Sequence, residues 1–203
     1  MLNGKVRVAV LVSGGGTNLQ AILDARGKVI RHAEIALVVS NKPNAYALER
    51  AKAADIPALA LSPKALGGKE AFERALQKTL EREQIDLIVL AGFLIILSPE
   101  FTRRWDHRIL NIHPALIPSF CGKDCYGLHV HEAVLARGVK VTGATVHYVN
   151  EIPDGGEILL QKAVEVYPED TPETLQRRVM EQAEWILLPR AVETVSVKML
   201  SGE

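Results

Sequence analysis

ILNIHPALIP, residues 109–118, predicts a buried β-strand that carries two polar side chains to its carboxyl end. Side chains alternate between the two faces of a strand, so Asn111 and His113 project from the same face. Pro114 and Pro118 cannot continue the ladder of backbone hydrogen bonds, and they end the strand. Ligands of open α/β sheets bind outside the carboxyl ends of the strands, so this position favours a functional role for the amide and the imidazole. The alternative to a functional role is that both side chains only hydrogen-bond nearby backbone groups.

Strand and helix patterns alternate along the first half of the chain. Apolar β-branched runs predict strands, and apolar residues that recur every three or four positions predict helices. The predicted strands cover residues 5–12, 36–41, 56–61 and 86–93, and the predicted helices start at residue 19, cover 43–54 and 69–84, and start again at the N-cap residue Ser98. Pro43 is predicted in the first turn of the second helix, and Phe72, Leu76 and Leu80 form the apolar stripe of the third. This alternation indicates an α/β protein.

The last third of the chain has a different pattern. Residues 141–150 and 157–166 alternate strongly around a turn at Pro153–Gly156, which predicts a β-hairpin. Asp154 in such a turn has an ordinary structural explanation, because aspartate favours turns. A final helix is predicted from a cap at residues 170–173 through Val197, with an interruption or kink near Pro189.

The turn after the first strand, SGGGTN at residues 13–18, predicts an anion site. A strand, a glycine-rich turn and a helix start direct free N–H groups and the positive end of a helix dipole to one point. A nicotinamide cofactor is disfavoured, because Leu19 stands where the dinucleotide motif has its third glycine and the next strand ends in Ser40 and Asn41 instead of an acid. ATP is disfavoured by the absence of Lys from residues 13–20. A phosphomonoester fits better, and a tight turn without a ligand is the alternative.

Composition restricts the class of protein. The 203 residues suffice for one domain with its own core, and 24 basic and 24 acidic side chains give a formal net charge of zero. That balance disfavours a nucleic acid or an anionic membrane as partner. We expect a soluble, cytoplasmic protein, because no targeting segment precedes the first strand and no apolar run could span a bilayer.

Two further segments leave alternatives open. Cys121 and Cys125 would need two more ligands to bind zinc, with His129 and His131 as the nearest candidates. A disulfide between them is the other alternative, and two free thiols are favoured in a cytosolic chain. His129 and His131 are otherwise candidates for supporting roles around a site. The apolar loop at residues 92–99 either lines a pocket for a flat aromatic ligand or belongs to the core.

These motifs together resemble the folate-dependent formyltransferases. NIHP at residues 111–114 with Leu116 and Pro118, followed by Asp154-Gly155-Gly156, is similar to the contexts of the family's catalytic Asn, His and Asp. The loop SGGGTNLQ, residues 13–20, is similar to that of the branch that formylates glycinamide ribonucleotide in purine biosynthesis. LAGF at 90–93 and ILSP at 96–99 extend the resemblance over essentially the whole chain. Each motif alone is weak, but the combination is specific.

The resemblance implies a doubly wound, mainly parallel sheet with helices on both faces, followed by the hairpin and the final helix. It implies a single domain over residues 1–203, with a phosphate-binding half at about 1–105 and a catalytic and folate-binding half at about 106–203. The implied reaction is formyl transfer from 10-formyltetrahydrofolate, as co-substrate, to the amine of 5'-phosphoribosylglycinamide. Only small-molecule partners and no metal are implied, and the chain is expected to be a monomer or a homodimer.

Site residues follow from the same resemblance, position by position. The implied catalytic residues are Asn111, His113 and Asp154. The implied acceptor site comprises Gly15, Gly16, Thr17 and Asn18 at the phosphate, with Glu184 nearby. The implied folate site comprises Lys69, Leu94, Ile95, Ile96, Leu97 and Asn111. Many relatives have Arg at the positions of Lys69 and Ile95, so this chain departs from the family pattern there.

Chemistry supports the catalytic trio independently. An amine that attacks a formyl group produces a negatively charged oxygen, which an amide N–H and a protonated imidazole can stabilise. A carboxylate beside the imidazole can hold it charged and support proton transfer. Two other functions compete: formylation of methionyl-tRNA, which usually requires an additional C-terminal domain and is disfavoured by the end of this chain at Glu203, and non-catalytic nucleotide binding.

Overall fold

One seven-stranded sheet runs through the residues that the computed structural model describes, 4–122 and 124–202. The opening Met1–Asn3, part of the segment examined for a targeting signal, lies outside these residues. The strands are β1 Val6–Val12, β2 Ala33–Ser40, β3 Ala58–Ala60, β4 Leu87–Leu90, β5 Ile109–His113, β6 Val141–Tyr148 and β7 Ile158–Glu165. Their order in the sheet is β3-β2-β1-β4-β5-β6-β7. Strands from both expected halves of the chain therefore belong to one sheet, joined where β4 pairs with β5.

Eight α-helices lie in the described ranges. They are α1 Thr17–Asp24, α2 Tyr46–Ala53, α3 Pro63–Leu66, α4 Lys69–Arg82, α5 Pro99–Arg104, α6 Leu128–Arg137, α7 Pro172–Val179 and α8 Trp185–Ser201. A π-helical turn, Met180–Glu184, joins α7 to α8. Within the same ranges, no helix has the length and apolar character that a bilayer crossing requires.

The sheet is parallel from β3 to β5 and antiparallel from β5 to β7. Chain order reverses between β1 and β4, because β2 and β3 lie on one side of β1 and β4 and β5 lie on the other. This reversal is the point at which doubly wound proteins bind their ligands. The predicted doubly wound fold and the predicted C-terminal hairpin are both confirmed.

Alternate residues of β1 pack into two separate cores. Val8, Val10 and Val12 contact the core that includes α1, α2, α6, α7 and α8, whereas Ala9 and Leu11 contact the core formed with α4 and α5. The predicted stripe on α4, Phe72, Leu76 and Leu80, is fully buried in the second core. Each such side chain contributes about 1.5–3 kcal/mol through burial. Helices therefore cover both faces of the sheet, as predicted.

The predicted start of the second helix is wrong, and the predicted interruption of the final helix is present but lies a few residues before Pro189. α2 starts at Tyr46, after a turn that contains Pro43, because the Ser40 hydroxyl hydrogen-bonds both the N–H and the carbonyl of Lys42 and holds the chain in that turn. The final helical segment is interrupted by the π-helical turn Met180–Glu184, one turn before Pro189, and α8 continues through Pro189 to Ser201. Proline lacks the N–H that bonds residue i−4, so the sequence indicated the neighbourhood of the irregularity but not its residues.

Candidate active site

A cavity of about 630 Å³ lies at the carboxyl ends of the parallel strands, beside the reversal between β1 and β4. It is bounded by the glycine-rich turn after β1, the apolar loop after β4, the end of β5, the loop before α6, the β6–β7 turn, and α7 with the π-helical turn. Its lining includes Gly14, Gly15, Gly16, Thr17, Asn18, Leu94, Ile95, Ile96, Asn111, His113, His131, Asp154 and Glu184. The structure thus brings Asn111, His113, Asp154 and the glycine-rich turn to one cavity.

Of the three glycines in the glycine-rich turn, the fold requires one and leaves space for a side chain at the other two. Gly16 has φ +73°, and an added Cβ would lie 2.6 Å from the Ala47 Cβ, so both backbone conformation and packing on α2 require glycine. Gly14 and Gly15 do not have positive φ, and a Cβ on either would meet no atom within 4 Å. Backbone conformation and packing therefore explain Gly16, whereas Gly14 and Gly15 leave open backbone at the start of α1, where an anion can approach.

Asn18 and Glu184 form a buried pair on the wall of this cavity. The Asn18 Nδ2 donates to a Glu184 carboxylate oxygen at 2.6 Å, and the Asn18 Oδ1 is buried without a partner among the described residues. Burial raises the pKa of Glu184 to about 7, although the hydrogen bond from Asn18 lowers it. Glu184 ends the π-helical turn, a feature that is frequent at functional sites.

Asn111 and His113 project from one face of β5, as predicted. Leu110 and Ile112 alternate with them and enter the core of the opposite face. The ring of His113 is buried, and its Nε2–H donates to the Phe120 carbonyl at 2.8 Å. Its Nδ1 lies 3.6 Å from an Asp154 carboxylate oxygen. The loop that follows β5 therefore fixes one ring nitrogen, and the other faces the carboxylate.

Asp154 is held by the backbone of its turn. The residue has φ +54°, in the left-handed region, which aspartate tolerates better than most residues. A Cβ on Gly156 would lie 1.8 Å from the Tyr148 carbonyl oxygen, so only glycine lets this turn fold back on β6. The Gly122 N–H donates to the Asp154 Oδ2 at 2.9 Å. Asp154 is thus both a turn residue and a carboxylate directed at the cavity.

Electrostatics favour a neutral His113 in the free protein. Burial lowers the pKa of His113, and this effect exceeds the opposite effects of Asp154 and of the Phe120 carbonyl. For Asp154, burial acts to raise the pKa, but the neighbouring His147 and His113 rings and the Gly122 N–H together hold it below its usual value. We expected Asp154 to hold the imidazole charged; the attraction is present, but burial outweighs it.

The residues predicted to bind folate divide into three groups. Leu94, Ile95 and Ile96 line the cavity, and Leu94 and Ile96 are largely exposed. Leu97 is buried in the core with α4 and α5. Lys69 lies outside the cavity lining, with its Nζ 3.9 Å from Glu73, whose carboxylate accepts the Ser98 N–H at the end of the apolar loop. The apolar loop therefore contributes both to the pocket and to the core.

Several residues of the site were missed or left undecided from the sequence. His147 lies across from Asn111 in the β5–β6 pair, and its position on an alternating strand was the only available signal. Thr145 donates to the Ala115 carbonyl and accepts the Ile117 N–H, which shapes the loop after β5. His131 is fully buried in the cavity wall, and burial, followed by the charge of His113, lowers its pKa to about 4. His129 is exposed and pairs with Glu132.

The two cysteines are free and partly buried. Among the described residues, no group of three or more His, Cys, Asp or Glu side chains is arranged to hold a metal ion. Cys125 lines the cavity, and Cys121 donates its S–H to the Pro118 carbonyl. Both thiols therefore lie in the loop whose backbone contacts His113 and Asp154.

The glycine-rich turn and the Asn-His-Asp cluster line one cavity of a doubly wound sheet, which indicates a particular class of protein. Comparison with known proteins identifies that class. Residues 6–192 match the family model described as formyl transferase. The chain belongs to this family.

Comparison with individual proteins gives more specific similarities than the family model. The chain is 42% identical over 187 residues to the phosphoribosylglycinamide formyltransferase of Haemophilus influenzae, covering 92% of this chain and 85% of that protein. It is 46% identical over 192 residues to the trifunctional purine biosynthetic protein adenosine-3 of Gallus gallus, covering 95% of this chain but only 18% of that protein. Glycinamide ribonucleotide transformylase 1 from Symbiobacterium toebii has a similar structure, with a TM-score of 0.89, 40% identity, and coverage of 96% of this chain and 89% of that one.

Proposed function

We propose that this protein transfers a formyl group from 10-formyltetrahydrofolate to the amine of 5'-phosphoribosylglycinamide. The observation that carries the proposal is the joint lining of one cavity by the glycine-rich turn and by Asn111, His113 and Asp154. The names of the relatives support the same acceptor and the transfer of a formyl group. The products are N-formylglycinamide ribonucleotide and tetrahydrofolate, which places the reaction in purine biosynthesis.

The acceptor phosphate binds at the turn formed by Gly15, Gly16, Thr17 and Asn18. N–H groups at the start of α1 and the positive end of its dipole stabilise the phosphate charge. Glu184 lies beside Asn18 and contacts the acceptor from the π-helical turn. Leu94, Ile95 and Ile96 contact the folate rings from the apolar loop. The glycine-rich turn and the apolar loop follow the neighbouring strands β1 and β4, so the phosphate and the folate bind side by side in the cavity.

The reaction proceeds by direct attack. The neutral amine forms a bond to the formyl carbon, and the formyl oxygen gains negative charge, which the Asn111 N–H groups stabilise when they face the cavity. The new ammonium must lose a proton, and the folate nitrogen must gain one as its bond to carbon breaks. His113 is suited to carry this proton, because the free ring is neutral, its Nδ1 is open to protonation, and Asp154 lies 3.6 Å away to stabilise the charge.

The decisive experiment measures formyl transfer by the purified protein to three acceptors in parallel. Glycinamide ribonucleotide should be formylated, methionyl-tRNA should not, and formate release without an acceptor should be slow. Preferential formylation of methionyl-tRNA would replace the proposed acceptor. Nucleotide binding without any transfer would indicate a non-catalytic binding protein.

A further inference from the structure

His147 lies directly opposite Asn111 in the β5–β6 pair and is fully enclosed. Its Nδ1 is 2.7 Å from the Tyr148 carbonyl oxygen. Its Nε2 is 3.0 Å from the Asn111 Nδ2 and 3.5 Å from the Asp154 Oδ1. One buried imidazole therefore joins the amide and the carboxylate of the site.

The Tyr148 carbonyl determines the tautomer of His147. A carbonyl oxygen only accepts hydrogen bonds, so Nδ1 must carry a hydrogen. In a neutral ring, Nε2 then has no hydrogen and accepts one from the Asn111 Nδ2. The same nitrogen of Asn111 directs its other hydrogen toward the Asp154 Oδ1 at 3.4 Å.

This arrangement fixes the direction of the Asn111 amide. Both Nδ2 hydrogens face protein groups, and the Oδ1, which bonds no other described residue, is left toward the cavity that Asn111 lines. A second proton on the His147 ring would reverse the direction of the Asn111 amide. Nε2–H could not accept from Nδ2; it would donate to the Asn111 Oδ1 or to Asp154, and the Nδ2 hydrogens would become available to the cavity.

We propose that His147 is a positioning residue that sets which end of the Asn111 amide faces the reacting groups. With a neutral His147, the Asn111 oxygen accepts an N–H from the attacking amine. With a doubly protonated His147, the Asn111 N–H groups donate to the formyl oxygen as it gains charge. Among the described residues, the ionisable groups that face His147 are His113 of β5 and Asp154 of the β6–β7 turn. The chemical roles of the two ends rest on the proposed function, whereas the tautomer and the amide direction do not.

A double-mutant cycle tests whether His147 acts through Asn111. We expect His147→Leu to lower kcat about tenfold, less than the 10²–10³ typical for loss of an oxyanion donor itself, with the acceptor KM changed less than about twofold. In an Asn111→Ala background, His147→Leu should have no further effect on kcat. His147→Gln, whose oxygen can accept from Asn111, should recover part of the loss. His32→Gln, an exposed histidine on a distant surface, is the matched control. If His147→Leu lowered kcat by the same factor in the wild-type and the Asn111→Ala backgrounds, the proposal would be overturned.

Nitrogen NMR of the free wild-type protein gives a test that needs no variant and no activity. We expect His147 to carry its hydrogen on Nδ1 when neutral, with a hydrogen-bond coupling from the Asn111 side-chain amide to Nε2. A neutral ring protonated on Nε2 would overturn the proposal. A wild-type protein without formyl transfer, but with the expected tautomer, would instead contradict the proposed function alone.

Discussion

The Asn18 side-chain amide donates a 2.6 Å hydrogen bond to the Glu184 carboxylate, and thereby joins two residues 166 positions apart in the sequence. Asn18 lies in the first turn of α1, and Glu184 ends the π-helical turn before α8. Both side chains are buried beside the predicted phosphate site. The contact therefore couples the glycine-rich turn at the start of α1 to the C-terminal helices and to the protonation of one carboxyl group.

Replacing Glu184 by Gln should stabilise the protein increasingly as pH rises. Burial raises the pKa of Glu184 from 4.5 to about 7, so the folded protein binds this proton more tightly than the unfolded chain. In the wild-type protein, the stabilisation that this tighter proton binding provides is present below pH 4.5 and is lost as pH rises through about 7. The free energy of unfolding of Glu184→Gln relative to wild type should increase by up to about 3 kcal/mol between those values, at about 1.4 kcal/mol per pKa unit.

Urea unfolding at pH 5 and pH 8 measures this difference. Glu181→Gln is the matched control, because Glu181 lies in the same helical turn but is exposed. The control should show no such dependence on pH. A Glu184→Gln difference that is the same at both pH values would show that the Glu184 carboxyl is not perturbed.

Alanine at Gly15 and at Gly16 should separate binding from folding. Gly15→Ala should change stability by less than about 0.5 kcal/mol, because its Cβ meets no protein atom, but the Cβ would occupy the approach to the helix start. We expect the acceptor KM to rise about tenfold, which corresponds to about 1.4 kcal/mol of binding. Gly16→Ala should instead destabilise the fold by about 1–3 kcal/mol, through its positive φ and the contact with Ala47. Thermal unfolding and steady-state kinetics distinguish the two outcomes, and an unchanged KM in Gly15→Ala would exclude an anion at this turn.

Much of the fold followed from local sequence patterns. The strand at 109–113 was predicted with its two polar residues on one face, because alternation and terminating prolines are local properties. The stripe Phe72, Leu76 and Leu80 predicted the buried face of α4 for the same reason. The start of the helix predicted from Pro43 was wrong because it depends on a Ser40 side-chain contact. The interruption predicted near Pro189 lies instead at the π-helical turn Met180–Glu184, because such an irregular turn has no fixed sequence pattern.

The site was predictable only in part, because it depends on pairings distant in sequence. Asn111 and His113 were candidates from their position at a strand end, the catalytic trio with Asp154 came from the family resemblance, and the structure shows the proximity of all three. The partnership of His147 with Asn111 required the β5–β6 register, and no sequence pattern gives that register. The neutral state of His113 required its burial, which the sequence could not quantify.

Asn111→Ala should reduce turnover about 10²–10³-fold, as loss of one oxyanion donor typically does. The acceptor KM should change little, because the proposed phosphate site at residues 15–18 is unaffected. Single-turnover formyl transfer with saturating co-substrate measures the chemical step. Asn44→Ala, an exposed amide before α2, should behave as wild type. Near-normal turnover in Asn111→Ala would assign Asn111 a structural role only.

The last prediction concerns His113 and Asp154, which approach to 3.6 Å in a cavity wall. Asp154 raises the pKa of His113 against the larger effect of burial, so Asp154→Asn should lower that pKa further. The imidazole would then accept the amine proton less readily, and turnover should fall while the fold persists, since asparagine also tolerates the positive φ of this turn.

The measurement must observe the imidazole directly. His113 and Asp154 titrate as a coupled pair, so a pH–rate profile reports apparent values for the site and not for either residue. NMR titration of the His113 ring in wild type and in Asp154→Asn gives the shift itself. If the His113 titration stayed unchanged and activity were retained, Asp154 would be a turn residue only. The proton would then have to move through other groups, of which His147, in contact with both Asn111 and Asp154, is the nearest candidate.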